Sequence, residues 1–436
     1  MGDRVAAFAA FEDWTRQVEA DGLPLLRLRP KADDLETAFD GDYDYIFDQT
    51  AFDAIVATAS RSCSQHDVAL LIDQDAPHKR RLWFVTEDAD CAAILVELWP
   101  HAELRMHDGA VGGVAWSHLA ELRKDSRQLQ RALAMMYVTH LHYKSKDLED
   151  PEVRERLQLL QASLTAAGAA NAAAVVTSLF EGDADVTAAR DAALADLAAL
   201  GISPRALPRV TVRRIRRAIR RRVRAGSASI DVVPIVGPDG SGKTALIDAL
   251  LANENGAAKS LTHRPFKWVF RSCWPIRALY RLPKHRRGTD EMVRRNLIDE
   301  RHTQLVLMCA LSYWPVARWN LARKQPAESR RAVVLMDRYF WDYQVRVRNP
   351  GESPHMVRFV KLWSLATPIQ DRTVVLLADP DTIVGRRDEL TVDAIRLWYE
   401  TMWSHISRAA GGQVLVVPAA GSLRSIRAYV QRFLTY

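Results

Sequence analysis

Four segments of the C-terminal half are almost continuously apolar and rich in β-branched residues: IDVVPIV at 230–236, AVVLMD at 332–337, TVVLLAD at 373–379 and QVLVVP at 413–418. Short apolar runs of this kind predict strands buried on both faces, as a parallel sheet covered by crossover helices requires. Amphipathic stretches separate them, so 229–436 reads as a parallel sheet flanked by helices. Towards the N-terminus the runs are shorter: DYDYIF at 42–47, VALLI at 68–72 and RLWFV at 81–85 predict strands separated by helical segments. Residues 1–125 therefore read as a small α/β domain. From 126 to 228 the pattern turns helical, with Ala- and Leu-rich segments such as LQRALAMMYVTHLHY and VRERLQLLQASLTAA.

The helical region ends in a basic stretch in which ten of the twenty residues at 205–224 are arginine. Val212, Ile215, Ile219 and Val223 recur three or four residues apart, which predicts a helix with one apolar face and a cationic remainder. Two uses stay open, an interdomain helix with solvated arginines and attachment to an anionic membrane surface or phosphorylated polymer. No recognised DNA- or RNA-binding motif accompanies the charge, so sequence-specific nucleic-acid contact is not expected.

Composition narrows the classes. With 48% hydrophobic and 26% charged residues over 436 positions, the chain has the material for more than one packed core. Its net charge of +7 is concentrated in the C-terminal half. Cys63, Cys91, Cys273 and Cys309 show neither paired spacing nor a companion His cluster, which argues against a zinc site or a disulfide framework. The N-terminal MGDRVAAFAAFEDW lacks the apolar run of a signal peptide, and Ala6 stands where a myristoylation motif needs Ser or Thr. The apolar run at 305–317 is shorter than the roughly 20 residues a spanning helix needs. The expected location is the cytoplasm, including the inner face of the membrane.

The candidate chemistry begins where 230–236 ends. Residues 237–244 read GPDGSGKT, a complete G-x-x-x-x-G-K-[ST] match at Gly237, Gly242, Lys243 and Thr244, preceded by a predicted strand and followed by the helix-forming ALIDALLANEN. Gly237, Gly240 and Gly242 let the backbone curl, so that the N–H groups of Pro238-Asp239-Gly240-Ser241-Gly242 and the helix start face a polyphosphate; Pro238 alone has no N–H to give. Lys243 is expected to bridge the β- and γ-phosphates, and Thr244 to offer its hydroxyl to Mg²⁺.

Within that loop Pro238-Asp239-Gly240 resembles the P-loop of thymidylate kinases and their relatives. About ninety residues on, AVVLM runs into Asp337-Arg338-Tyr339, which resembles the D-R-[YHF] motif after the third core strand of the same family. The resemblance covers 229–436 and implies a P-loop NTPase fold of the nucleoside monophosphate kinase type. It further implies ATP and Mg²⁺ as cofactors, Asp337 with Thr244 at the metal, and Arg338 directed at the acceptor or the transferring phosphoryl group. DPDTIVGRRDELT resembles the family's lid, which makes Arg386 and Arg387 candidates for charge neutralisation during transfer. The 418–421 loop lies where relatives pass the chain alongside adenine.

Two departures bear on the acceptor. Thr262-His263-Arg264-Pro265 stands where thymidylate kinases carry a T-R-E-P turn, and Phe340-Trp341-Asp342-Tyr343-Gln344 followed by VRVRNP replaces their thymine-holding segment. The added stretch HRPFKWVFRSCWPIRALYRLPKHRRG interleaves Phe266, Trp268, Phe270, Trp274 and Tyr280 with cations. Such a surface suits phospholipid headgroups or a glycolipid, and equally suits a loop packed over the core. A helix over 292–324 is expected to wall the acceptor pocket. The resemblance thus implies a kinase whose acceptor is a sugar, glycolipid or other envelope hydroxyl, with a nucleoside monophosphate kinase or a non-catalytic ATP switch as alternatives. Assembly as a homodimer stays open. In the first domain, Gly41-Asp42-Tyr43-Asp44 faintly resembles the G-D-x-D start of nucleotidyltransferases, with Glu103 as a third carboxylate, but no Gly-Ser turn precedes it.

Overall fold

The computed structural model describes residues 2–28, 38–39, 42–74, 79–87, 93–105, 111–144, 148–181, 185–202, 205–206, 230–252, 261–265, 314, 316, 332–339, 372–386, 390–408 and 412–435. The chain is α/β, with thirteen strands in mixed sheets and eleven α-helices among these residues. In chain order the elements begin with α1 (Gly2–Ala20), β1 (Leu25–Arg27), β2 (Asp42–Phe47), α2 (Phe52–Gln65), β3 (Ala69–Asp73), β4 (Arg80–Val85) and β5 (Ala93–Trp99). There follow β6 (His101–Arg105), β7 (Val111–Ala115), α3 (Trp116–Leu122), α4 (Ser126–Lys144), α5 (Pro151–Ala166), α6 (Ala170–Glu181), α7 (Val186–Ala199) and β8 (Arg205–Ala206). The remainder is β9 (Ile230–Val236), α8 (Lys243–Leu251), β10 (Leu261–Pro265), β11 (Ala332–Asp337), β12 (Arg372–Leu377), α9 (Pro380–Arg386), α10 (Val392–Arg408), β13 (Gln413–Pro418) and α11 (Leu423–Thr435).

Contacts divide the chain into two compact units, Met1–Ser62 with Ala76–Val212, and Cys63–Asp75 with Arg213–Tyr436. In the first unit β2 pairs parallel with β5, while β1 and β4 flank them antiparallel. Phe11 and Trp14 of α1 close over Tyr43, Tyr45 and Phe84, with ring centroids 4.5–5.8 Å apart across the helix–sheet contacts. A second core lies among α4–α7, where Met135, Val138, Leu157, Leu164, Val176 and Leu197 are fully shielded. The helical region read at 126–228 thus packs, as far as α7, within the first unit. Arg205 and Ala206, read as the start of a basic helix, form a short strand on β7; the rest of that stretch lies outside the described residues.

In the second unit the strand order is β10-β11-β9-β12-β13, all parallel, with β3 antiparallel at the β13 edge. The strand expected at 68–72 within a 1–125 domain is therefore this unit's edge strand. The interior strands are buried on both faces, as their unbroken apolar runs require. Pro234 interrupts the run, yet β12 pairs with β9 only at Ile235 and Val236, just beyond the residue that has no N–H to contribute. From β9 the chain crosses to β10 on one side; from β12 it crosses to β13 on the other. The order therefore reverses between β9 and β12, and open α/β sheets take ligands at the carboxyl ends of the strands at such a reversal. No described helix is long and apolar enough to cross a membrane.

Candidate functional site

The GPDGSGKT loop lies at that reversal. It leaves the C-terminal end of β9 and enters α8 at Lys243, with Gly240 at φ 96° and Gly242 at φ 95°, left-handed conformations that cost glycine little. Gly237 answers a different demand. A Cβ there would lie 2.6 Å from Ser241 Oγ and 3.1 Å from the Leu376 carbonyl on β12, so the loop and the neighbouring strand approach too closely for any side chain. Gly242 also supplies no side-chain cap to α8, which leaves the first-turn N–H groups without the usual hydroxyl or carboxylate acceptor.

Lys243 is only 7% exposed. An ammonium so buried must be compensated, and its Nζ donates to the carbonyls of Gly237 at 2.7 Å and Pro238 at 2.8 Å. Asp239 Oδ1 lies 3.6 Å away. The lysine thus fastens the loop into its curl from inside. Thr244 is exposed on the first turn of α8.

Asp337 ends β11, in register with Ile235 of β9. Sheet pairing alone therefore places its carboxylate one strand from the loop, and its Oδ1 is buried without a hydrogen-bond partner among the described residues. Ser241 Oγ is in the same condition. Two orphaned buried oxygens, each costing about 1–3 kcal/mol when unsatisfied, beside a curled glycine loop form a donor and acceptor set that fits a phosphate and a hydrated cation. Thr244 and Asp337 are the oxygen ligands such a hard cation would use.

Arg338 follows in a left-handed backbone conformation, φ 69°, unusual for a residue with a side chain. Its N–H reaches the Ile235 carbonyl at 3.3 Å, and its Nη2 donates to both carboxylate oxygens of Asp239 at 2.8 and 3.0 Å. Arg386, at the end of α9, donates to the Gly240 carbonyl at 3.2 Å. Residues from two separated segments, at 337–338 and 386, thus converge on the loop. Arg387 lies outside the described residues.

Tyr399 of α10 supports this end of β12. Its hydroxyl accepts from Ala378 N at 2.8 Å and faces the carbonyls of Leu376 at 3.1 Å and Ala378 at 3.3 Å, while burial pushes its ionisation well above the tyrosine norm. The 418–421 loop is tied alongside, with Ala419 N donating to Leu377 O at 2.7 Å. Trp314, within the 292–324 stretch expected to wall an acceptor pocket, stands edge-on to Tyr339 at 5.8 Å. The basic-aromatic residues from Phe266 to Tyr280 and the segment after Tyr339 lie outside the described residues.

The first unit holds a separate carboxylate group. Asp42, Asp44 and Glu97 bring ligand atoms within 4.8 Å of one another. The third member is Glu97, set opposite Asp44 in the β2–β5 register; Glu103 sits instead on β6, in the three-stranded sheet. A lone acid inside the apolar strand AILVELW was the signal for Glu97. Its carboxylate is bound by Lys79 and by Arg81 at 3.0 Å, and Asp44 accepts from the Trp99 indole at 2.8 Å. The chain's own cations thus balance part of the cluster's charge.

A scan against protein-family models and a search of curated proteins find no match to this chain.

Proposed function

We propose that this chain is a Mg²⁺-dependent phosphotransferase that takes the γ-phosphoryl group of ATP to a hydroxyl acceptor, a sugar, a glycolipid or another envelope component. The observation that carries the reading is the GPDGSGKT loop at the strand-order reversal, with Lys243 buried inside it and Asp337 one strand away. The resemblance to thymidylate-kinase-like proteins agrees with this placement, since Asp337 ends the third parallel strand of its unit in chain order.

Phosphoryl transfer asks mainly for positioning and charge stabilisation. Loop N–H groups and the start of α8 hold the polyphosphate, and Lys243 turns from the Gly237 and Pro238 carbonyls towards it. Thr244 and Asp337 would hold the metal, which would supply neutralisation of charge at the phosphate oxygens. The acceptor oxygen bonds to the γ-phosphorus as the bond to the bridging oxygen breaks, and the hydroxyl proton passes to the Asp337 carboxylate. Arg338 and Arg386 lie where charge gathers during transfer. No reaction is assigned to the Asp42–Asp44–Glu97 cluster, in which Lys79 and Arg81 balance part of the charge.

One observation favours a nucleoside monophosphate acceptor as the second reading: Arg264 is exposed near the end of β10, one residue before the Pro265 that pairs with Asp337. The test is incubation with γ-labelled ATP and fractionated lipid, polysaccharide and nucleotide extracts. Label entering a lipid or polysaccharide fraction supports the first acceptor class, and labelled diphosphate the second. Label that leaves ATP only as inorganic phosphate overturns the kinase reading and favours an ATP-driven switch.

A further inference from the structure

A carboxylate is an odd component of a loop that is to hold polyphosphate, because it repels the ligand that the loop attracts. Asp239 sits at the apex of the turn, and its side chain remains 41% exposed, so burial does not explain it. What surrounds it does. Arg338 Nη2 grips both oxygens at 2.8 and 3.0 Å, and Lys243 Nζ stands 3.6 Å from one of them. Arg386 donates to the adjacent Gly240 carbonyl at 3.2 Å. Two cations from different segments therefore face a single anion, and a third, Arg386, is tied to the backbone beside it. Lys243 and Arg338 are shared by that anion, and Arg338 reaches it from a left-handed backbone conformation that local propensity disfavours.

We infer that Asp239 is a positioning residue that holds the Arg338 guanidinium at the phosphate loop and, by sharing Lys243, moderates the loop's attraction for polyphosphate. The inference rests on the reading of the loop as the ATP site and deepens it. With Asp239 in place, Arg338 has one address before the nucleotide arrives, and the loop does not carry the full charge of its cations. That favours release of the diphosphate product as well as entry of ATP. Without Asp239, the loop binds phosphate harder and Arg338 loses its address.

The test separates affinity from turnover. Binding of MgATP is measured by calorimetry, and inorganic phosphate release is followed with water as the acceptor, for wild type, Asp239→Asn, Arg338→Gln and the double variant. Thermal melting checks that each is folded, and Asp239→Ser serves as a second removal of the charge. Asp239→Asn is expected to bind MgATP about fivefold more tightly while releasing phosphate about tenfold more slowly. Arg338→Gln leaves an unpaired carboxylate facing the ligand and is expected to bind about tenfold more weakly. The double variant is expected to bind MgATP within about twofold of wild type while releasing phosphate more slowly, because Arg338 is missing. A pair that only braces the fold predicts the opposite sign, with Asp239→Asn weakening binding. That result, or a double variant as weak as Arg338→Gln alone, overturns the inference while leaving the ATP site standing. A wild-type protein that binds no MgATP overturns both.

Discussion

Gly237 has no room for a side chain, and that constraint can be measured. Alanine there would press on Ser241 Oγ and on the Leu376 carbonyl, and backbone cannot swing aside as a flexible side chain can. Gly237→Ala is expected to lower stability by about 1–3 kcal/mol in urea denaturation and to weaken MgATP binding at the same time. Tyr399 gives a second prediction. Removing its hydroxyl leaves the buried Ala378 N–H without its acceptor, so Tyr399→Phe is expected to cost about 1–3 kcal/mol at neutral pH. Burial raises the folded-state ionisation of Tyr399, so the unfolded chain ionises first. The tyrosine's contribution is therefore complete below pH about 10 and is lost as pH rises further. Denaturation midpoints between pH about 9 and about 11 should fall more steeply for wild type than for Tyr399→Phe. At this scale the loop was legible, because glycine spacing and a Lys-Thr pair encode a local conformation. The Asp239–Arg338 pair was not, since its members stand 99 positions apart and only sheet register brings them together.

The elements that sequence pattern foresaw are those whose pattern admits one solution. DYDYIF, IDVVPIV, AVVLMD and QVLVVP are strands over the expected residues, the first by its polar–apolar alternation and the others by β-branched runs bounded by turn signals. AILVELW escaped notice as β5, for a seven-residue apolar run with a central Glu suits a helix as well as a strand. LTHRP escaped as β10 because an edge strand with His and Arg shows no buried period and ends in proline. Helix ends carry their own signals. Asp185 caps α7 by accepting from Thr187 N at 3.0 Å, so Asp185→Ala is expected to cost about 1 kcal/mol in chemical denaturation. Between helices, Arg131 of α4 grips Asp196 of α7 with Nε at 2.6 Å from Oδ2, and that hydrogen bond raises the affinity of the guanidinium for its proton.

For the whole molecule, the division of labour follows the two units. The second carries the parallel sheet, the strand-order reversal and every described member of the proposed ATP site; the first carries a helical core and a partly charge-balanced carboxylate cluster. The boundary was hard to read because chain order and spatial order differ: the strand at 69–73 precedes most of the first unit yet pairs with β13 of the second. The most direct test of the central claim is equilibrium binding of ATP to the full chain with and without Mg²⁺, for wild type, Lys243→Met and Asp337→Asn. The account predicts Mg²⁺-strengthened binding by wild type, its loss in Lys243→Met, and ATP binding by Asp337→Asn that no longer responds to the metal. Equal binding by wild type and Lys243→Met, or none by wild type, would contradict it.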